Sequence, residues 1–235
     1  MKPGTLVEVT WDDGTPKGWT EIKYQFNGKT VYGYVFSNNL DSVKSINTTP
    51  NTSANRLAPG TVLGEWIIDS WDSRISFWPS NNPGVNDSWG NAVAANYKLA
   101  TVTVEAGSGF SWYTNVGYSV PGYGPGGILS AGKPAVGFGG GACGTVNALN
   151  LALLDAIEQH GEIFVFDKNN RKHSVTSTYV PNGMPNVTIS SPDIDYKFKN
   201  TSGYDITFKA ICIKDTDANG ATTRYRLGVQ VVVAE

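Results

Sequence analysis

One stretch constrains the fold more than any other. Val146, Leu149, Leu153 and Ile157 recur at helical spacing, and Gly161 stands where a helix should stop. The spacing predicts a helix over about 145–160, directly after Gly139-Gly140-Gly141-Ala142-Cys143. Most of the remaining chain has strand character. β-Branched and aromatic runs at 64–68, 75–78, 101–104, 162–167, 175–180, 186–190, 196–199, 206–214 and 223–234 are separated by turn residues. A shorter helix is expected to begin at Asp87 or Ser88 and run through Lys98. With 27 glycines and 11% aromatic residues, the expected class is α+β, dominated by antiparallel sheet with one main helix.

The first 43 residues form a separate pattern. Leu6–Val9 alternates, Asp12-Asp13-Gly14 makes a turn, and Trp19–Phe26 and Val31–Val35 flank Asn27-Gly28, a strong hairpin signal. This is expected to be part of a small barrel over 1–43. Residues 44–60, rich in Ser, Asn, Thr and Pro, read as a linker, and 61–235 as the main domain. Lys2-Pro3-Gly4-Thr5, Gly18-Trp19, Asn27–Thr30 and Gly33-Tyr34-Val35 resemble the second half of a bacterial Src-homology-3-like cell-wall module. That resemblance implies peptidoglycan attachment; a hairpin spacer without a ligand is the alternative.

A net charge of −2 with no basic tract argues against nucleic-acid binding. No apolar run has the length of a membrane span. No phosphate-loop lysine follows the glycines, so nucleotide binding has no support. Two cysteines and two histidines lack metal-ligand spacing, and no cofactor is expected. Met1-Lys2-Pro3-Gly4 runs into a strand-like stretch with no leader pattern, so an extracellular placement implies a piece of a longer protein.

Cys143 is the residue with the clearest chemistry. At a helix N-terminus, unpaired N–H groups and the helix dipole favour a thiolate. A glycine run lets a substrate approach closely and leaves N–H groups of Gly140, Gly141 or Gly144 as oxyanion donors. The other reading is a small buried thiol after a loop, alone or bonded to Cys212. His173 has the proton affinity of a general base, with Arg171 and Lys172 beside it to hold a substrate carboxylate. A surface histidine in a basic turn is the alternative. His160 ends the helix and reads as structural. Trp78, Trp89 and Trp112 lie near turns and are candidates to line a groove.

Over about 62–213 the chain resembles the VanW family. The matching pieces are Val104, Gly107, Phe110 and Ser111, then Asn115-Val116-Gly117, Gly122-Tyr123 and Gly132. Gly139–Cys143, Ala152, His173-Ser174, Tyr179-Val180-Pro181 and Gly183 follow, and then Ser191-Pro192-Asp193 and Phe198-Lys199-Asn200. The resemblance implies L,D-transpeptidation: Cys143 as nucleophile on a peptidoglycan stem peptide, with His173 as its acid–base partner. Tyr179 and Asn147 are expected near the substrate, and Asn147 or Asn186 is a candidate to orient His173. It also implies an extracellular or wall-associated protein, expected to act as a monomer. The sequence departs from the family pattern at Gly144, Val146 and Asn147, where Gln and Ser-Thr are usual, at Met184-Pro185, where Arg-Asp is usual, and at Asn170-Arg171. These losses leave open a non-catalytic module that binds peptidoglycan. A structural β-rich protein that binds sugar through exposed aromatics is a third reading.

Overall fold

The computed structural model describes residues 8–10, 19–26, 29–36, 57–69, 87–130, 133–173, 179–180, 184–190 and 193–235. Its contacts divide the chain into two compact units, Met1–Asn55 and Arg56–Glu235. In the first, β1 (Glu8–Thr10), β2 (Trp19–Phe26) and β3 (Lys29–Phe36) form an antiparallel sheet in that order. Phe26 pairs with Lys29, so the hairpin loop has the two-residue length that Asn27-Gly28 predicts.

The second unit is built on a four-stranded antiparallel sheet. Its order is β4 (Val62–Asp69), β12 (Thr222–Val233), β11 (Ile206–Thr216) and β5 (Thr103–Val104). β11 and β12 pair along nearly their whole length, from Ile206↔Val233 to Thr216↔Thr222. Leu227, Val229 and Val231 are fully buried on one face of β12, and Val232, on the other face, is fully buried as well, so the end of this central strand is covered on both sides. The main helix, α3 (Ala142–His160), packs on β4 and β12. Its approach is close enough to exclude a side chain at Gly64, where a Cβ would lie 2.3 Å from the Ala152 carbonyl oxygen. Gly64 and the small residues Ala152 and Ala156 therefore set the spacing between helix and sheet.

The helix α1 (Ser88–Leu99) packs against α3 and β11. Its Asp87 N-cap accepts from the Gly90 N–H at 2.6 Å, as the sequence predicts. A second, three-stranded sheet runs β6 (Gly109–Ser111), β10 (Lys197–Asn200), β9 (Phe164–Phe166). Phe198 stacks on Phe110 with ring centroids 4.9 Å apart, and Phe110 meets Phe208 of β11 edge-on at 6.0 Å, joining the two sheets. The short helix α2 is Trp112–Asn115, and β7 (Pro125–Ser130) and β8 (Lys133–Phe138) form a hairpin.

Mostly antiparallel strands with a few helices make this an α+β fold. Several boundaries differ from the sequence reading. α3 begins three residues earlier, at Ala142, which puts Cys143 inside the first turn. The Gly-rich 107–141 region holds β6, α2, β7 and β8. Residues 186–190 form no strand; a single bridge joins Lys172 to Val187. Trp89 and Trp112 are buried in the core and line no groove, because their large apolar rings fill the space under the sheets. Trp78, Gly132, Ser174, Gly183 and the 75–78 strand prediction lie outside the described residues, as does 175–178 of the strand predicted over 175–180; its last two residues, Tyr179 and Val180, form a bend and no strand.

Candidate active site at the start of helix α3

The glycine run is a packing device before it is anything else. Gly141, the N-cap of α3, has φ +108°, and a Cβ there would sit 2.0 Å from the Ser88 carbonyl oxygen. A Cβ on Gly140 would meet the Gly126 and Gly127 backbone at 2.5–2.6 Å. The starts of α1 and α3 and the strand β7 thus meet backbone to backbone, which only glycine permits.

Asn91, fully buried on α1, ties them together. Its amide nitrogen donates to the Gly124 oxygen (2.9 Å) and the Gly140 oxygen (2.8 Å), and its oxygen accepts from the Gly124 N–H (2.9 Å). Thr145 adds a bond to the Ala92 oxygen at 2.8 Å. Cys143 is therefore held on a rigid support.

The sulfur faces the segment around Thr188. The Thr188 hydroxyl lies 3.5 Å from Sγ, and the thiol donates to the Ile189 carbonyl at 3.4 Å. His173 lies beside the thiol as well, where its hydrogen bonding and charge lower Cys143. His173 arrives from a short antiparallel pairing: its N–H donates to the Asn186 oxygen (3.1 Å), and the Thr188 N–H donates to the Arg171 oxygen (3.0 Å). In that register His173 and Thr188 project to the same side, toward the cysteine. Tyr179, buried, meets the His173 ring edge-on with centroids 5.5 Å apart and so limits its rotation.

Burial pushes the Cys143 thiol up, but the hydrogen bond and charge of His173, followed by the Thr188 hydroxyl, outweigh it. The net result lies below the ordinary thiol range. Cys212, on β11, goes the other way: burial raises it, and only the Asn96 amide opposes this. Both cysteines are free thiols, so the disulfide alternative is set aside.

The predicted oxyanion and substrate residues divide. The Gly140 N–H donates to the Gly137 oxygen (3.3 Å) and the Gly144 N–H to the Gly141 oxygen (2.9 Å), so both are engaged in turns. The N–H groups of Gly141 and Cys143 make no hydrogen bond among the described residues. Asn147 does not face a substrate. It is fully buried, and its amide donates to the Cys143 and Val187 oxygens and accepts from the Val187 N–H, all at 2.8 Å. This side chain clamps the Thr188 segment to the cysteine turn. The Asn147 amide is spent on Cys143 and Val187 rather than on His173, and Asn186 meets His173 through its backbone carbonyl, its own side-chain oxygen being buried without a partner among the described residues. Arg171 and Lys172 are exposed beside His173. Asn170, another departure from the family pattern, exchanges two 2.8 Å bonds with the Lys197 backbone.

Sequence reasoning missed Thr188, Asn91 and two tyrosines near the thiol. Burial raises the Tyr118 hydroxyl, followed by the charges of Asp195 and Cys143, and burial followed by Cys143 raises Tyr123. The signal for the tyrosines was slight, an aromatic in a glycine-rich loop, and for Thr188 there was none. Among the described residues no three His, Cys, Asp or Glu side chains gather to hold a metal ion, and no helix is long and apolar enough to cross a membrane.

No curated protein matches this chain. No solved structure matches it either. The family model described as "VanW like protein" matches residues 88–221, from the start of α1 to the turn before β12, and so takes in Cys143, His173 and Thr188. That span is more than half of the 235 residues, and the chain belongs to the VanW family.

Proposed function

We propose that this chain is a cysteine acyltransferase that cross-links peptidoglycan stem peptides outside the cytoplasmic membrane, by L,D-transpeptidation. Family membership suggests a peptidoglycan-related role in the cell wall. The observation that carries the finer reading is the thiol of Cys143: half-buried at a helix N-terminus, yet held below its ordinary range by His173. A merely packed thiol would behave as Cys212 does and be raised.

In the proposed reaction the Cys143 thiolate attacks the carbonyl of the third residue of a donor tetrapeptide. The sulfur–carbon bond forms and the carbonyl π pair moves to oxygen. When the carbonyl reforms, the bond to terminal D-Ala breaks, and the His173 imidazolium gives its proton to the leaving amine. A side-chain amine of a second stem then attacks the thioester, loses a proton to His173, and releases the thiolate. Water in place of that amine gives a carboxypeptidase. Exposed Arg171 and Lys172 are suited to the carboxylate of the departing D-Ala.

The test is mass spectrometry of a disaccharide-tetrapeptide incubation with wild type and Cys143→Ala in parallel. A cross-linked dimer or an acyl adduct on Cys143, absent from the variant, is expected. Unchanged substrate and unmodified protein from a folded sample would favour a module that binds the wall without chemistry.

A further inference from the structure

We propose that the Tyr123 hydroxyl is an oxyanion donor of this site, receiving the acyl carbonyl oxygen while Cys143 attacks. The proposal rests on the acyl-transfer reading above. Its first support is an unpaired group. The Tyr123 hydroxyl oxygen is buried and has no hydrogen-bond partner among the described residues. A buried hydroxyl left unpaired is costly, and such groups call for a specific explanation, a missing ligand among them. Neighbouring tyrosines are satisfied: Tyr118 donates to the Ile194 oxygen (3.0 Å) and Tyr196 to the Asn150 oxygen (3.0 Å).

The second support is position. The Tyr123 ring lies on Gly139, four residues before the cysteine; a Cβ there would be 3.2 Å from the ring Cδ2 and 3.3 Å from Cε2. Phe138 meets the ring edge-on at 6.1 Å, and the next residue, Gly124, is gripped by Asn91. The phenol is thus carried on the same rigid support as Cys143. The charge of Cys143 is felt at the hydroxyl, although the two are not hydrogen-bonded. Burial, with that charge, keeps the phenol protonated and able to donate. The third support is need: the Gly140 and Gly144 N–H groups are engaged in turns, which leaves only those of Gly141 and Cys143 among the backbone donors near the sulfur, and a side-chain donor would complement them.

In the step itself the phenol keeps its proton. As the sulfur–carbon bond forms, the carbonyl oxygen takes the π pair and accepts a hydrogen bond from Tyr123, alongside the Cys143 N–H. When the carbonyl reforms, that bond weakens and the amine leaves with the proton from His173.

The experiment compares wild type with Tyr123→Phe, which keeps the ring and removes the hydroxyl. Two probes are used. Iodoacetamide alkylates the thiolate without forming an oxyanion; 4-nitrophenyl acetate acylates it through one and releases nitrophenolate. Alkylation is expected to stay within about twofold and acylation to fall about 100-fold, the size of a lost oxyanion donor. Melting should not drop, because an unpaired group has been removed. Tyr123→Met should give the same split if the phenylalanine variant does not fold. Equal acylation in wild type and variant overturns the proposal, and so does a parallel loss of alkylation, which would mean that Tyr123 acts on the thiolate. A wild type that is alkylated but never acylated removes acyl transfer itself, and the role of Tyr123 with it.

Discussion

Replacing Asn147 by alanine separates its structural role from its expected place near the substrate. The side chain makes three 2.8 Å hydrogen bonds, two of them to the buried backbone of Val187. Among the described residues Val187 has no second backbone partner to turn to. It faces Lys172 across the bridge, and the ladder bonds of that pairing are made by its neighbours, from Thr188 to Arg171 and from His173 to Asn186. Alanine therefore leaves one buried N–H and one buried carbonyl unpaired, at about 1–3 kcal/mol each. The sum is about 4 kcal/mol, which lowers the melting temperature by about 8–16 °C for a unit of this size. Asn147→Asp offers no relief, since it keeps one acceptor but sets a carboxylate against two carbonyl oxygens. The assay is thermal denaturation by circular dichroism together with iodoacetamide alkylation of Cys143. The alkylation rate should fall too, because Thr188 and His173 reach the sulfur only through the segment that Asn147 holds. A variant that melts within about 2 °C of wild type and alkylates at the same rate would refute this account.

Two further outcomes follow from the geometry. Alkylation of Cys143 against pH should show a midpoint below the ordinary thiol value, and His173→Ala should move it above that value, because burial is then opposed chiefly by Thr188; an unmoved midpoint counts against the His173 pairing. The sign for stability is the same: a folded-state value below the unfolded one stabilises the fold at alkaline pH, and that contribution is lost as pH falls through the folded value. Gly141→Ala should cost more than about 3 kcal/mol in denaturant titration, since strain at positive φ adds to a 2.0 Å approach to the Ser88 oxygen. Gly203→Ala, at φ +78° with nothing near, should cost only about 1–2 kcal/mol; equal losses would show that the close approach at Gly141 does not matter.

Much of the scaffold is legible in the order of residues because its signals are local. The helical spacing from Val146 to Ile157, the Asp87 cap, the Asn27-Gly28 loop and the β-branched runs of β11 and β12 each depend on neighbours a few positions away. So does the likelihood that a cysteine after three glycines begins a helix. What the cysteine meets there is another matter. His173 and Thr188 are brought to it by a pairing between two short segments, and Asn147 holds that pairing from a third. Asn147 looked like a polar group near a substrate, and proved to be a buried clamp. The glycines looked like an oxyanion loop, and proved first to be the close contact between α1, β7 and α3. A polar side chain reads the same in sequence whether it faces solvent, a ligand or a buried carbonyl. Only the packing of distant segments decides which, because that packing determines whether water is there to satisfy it.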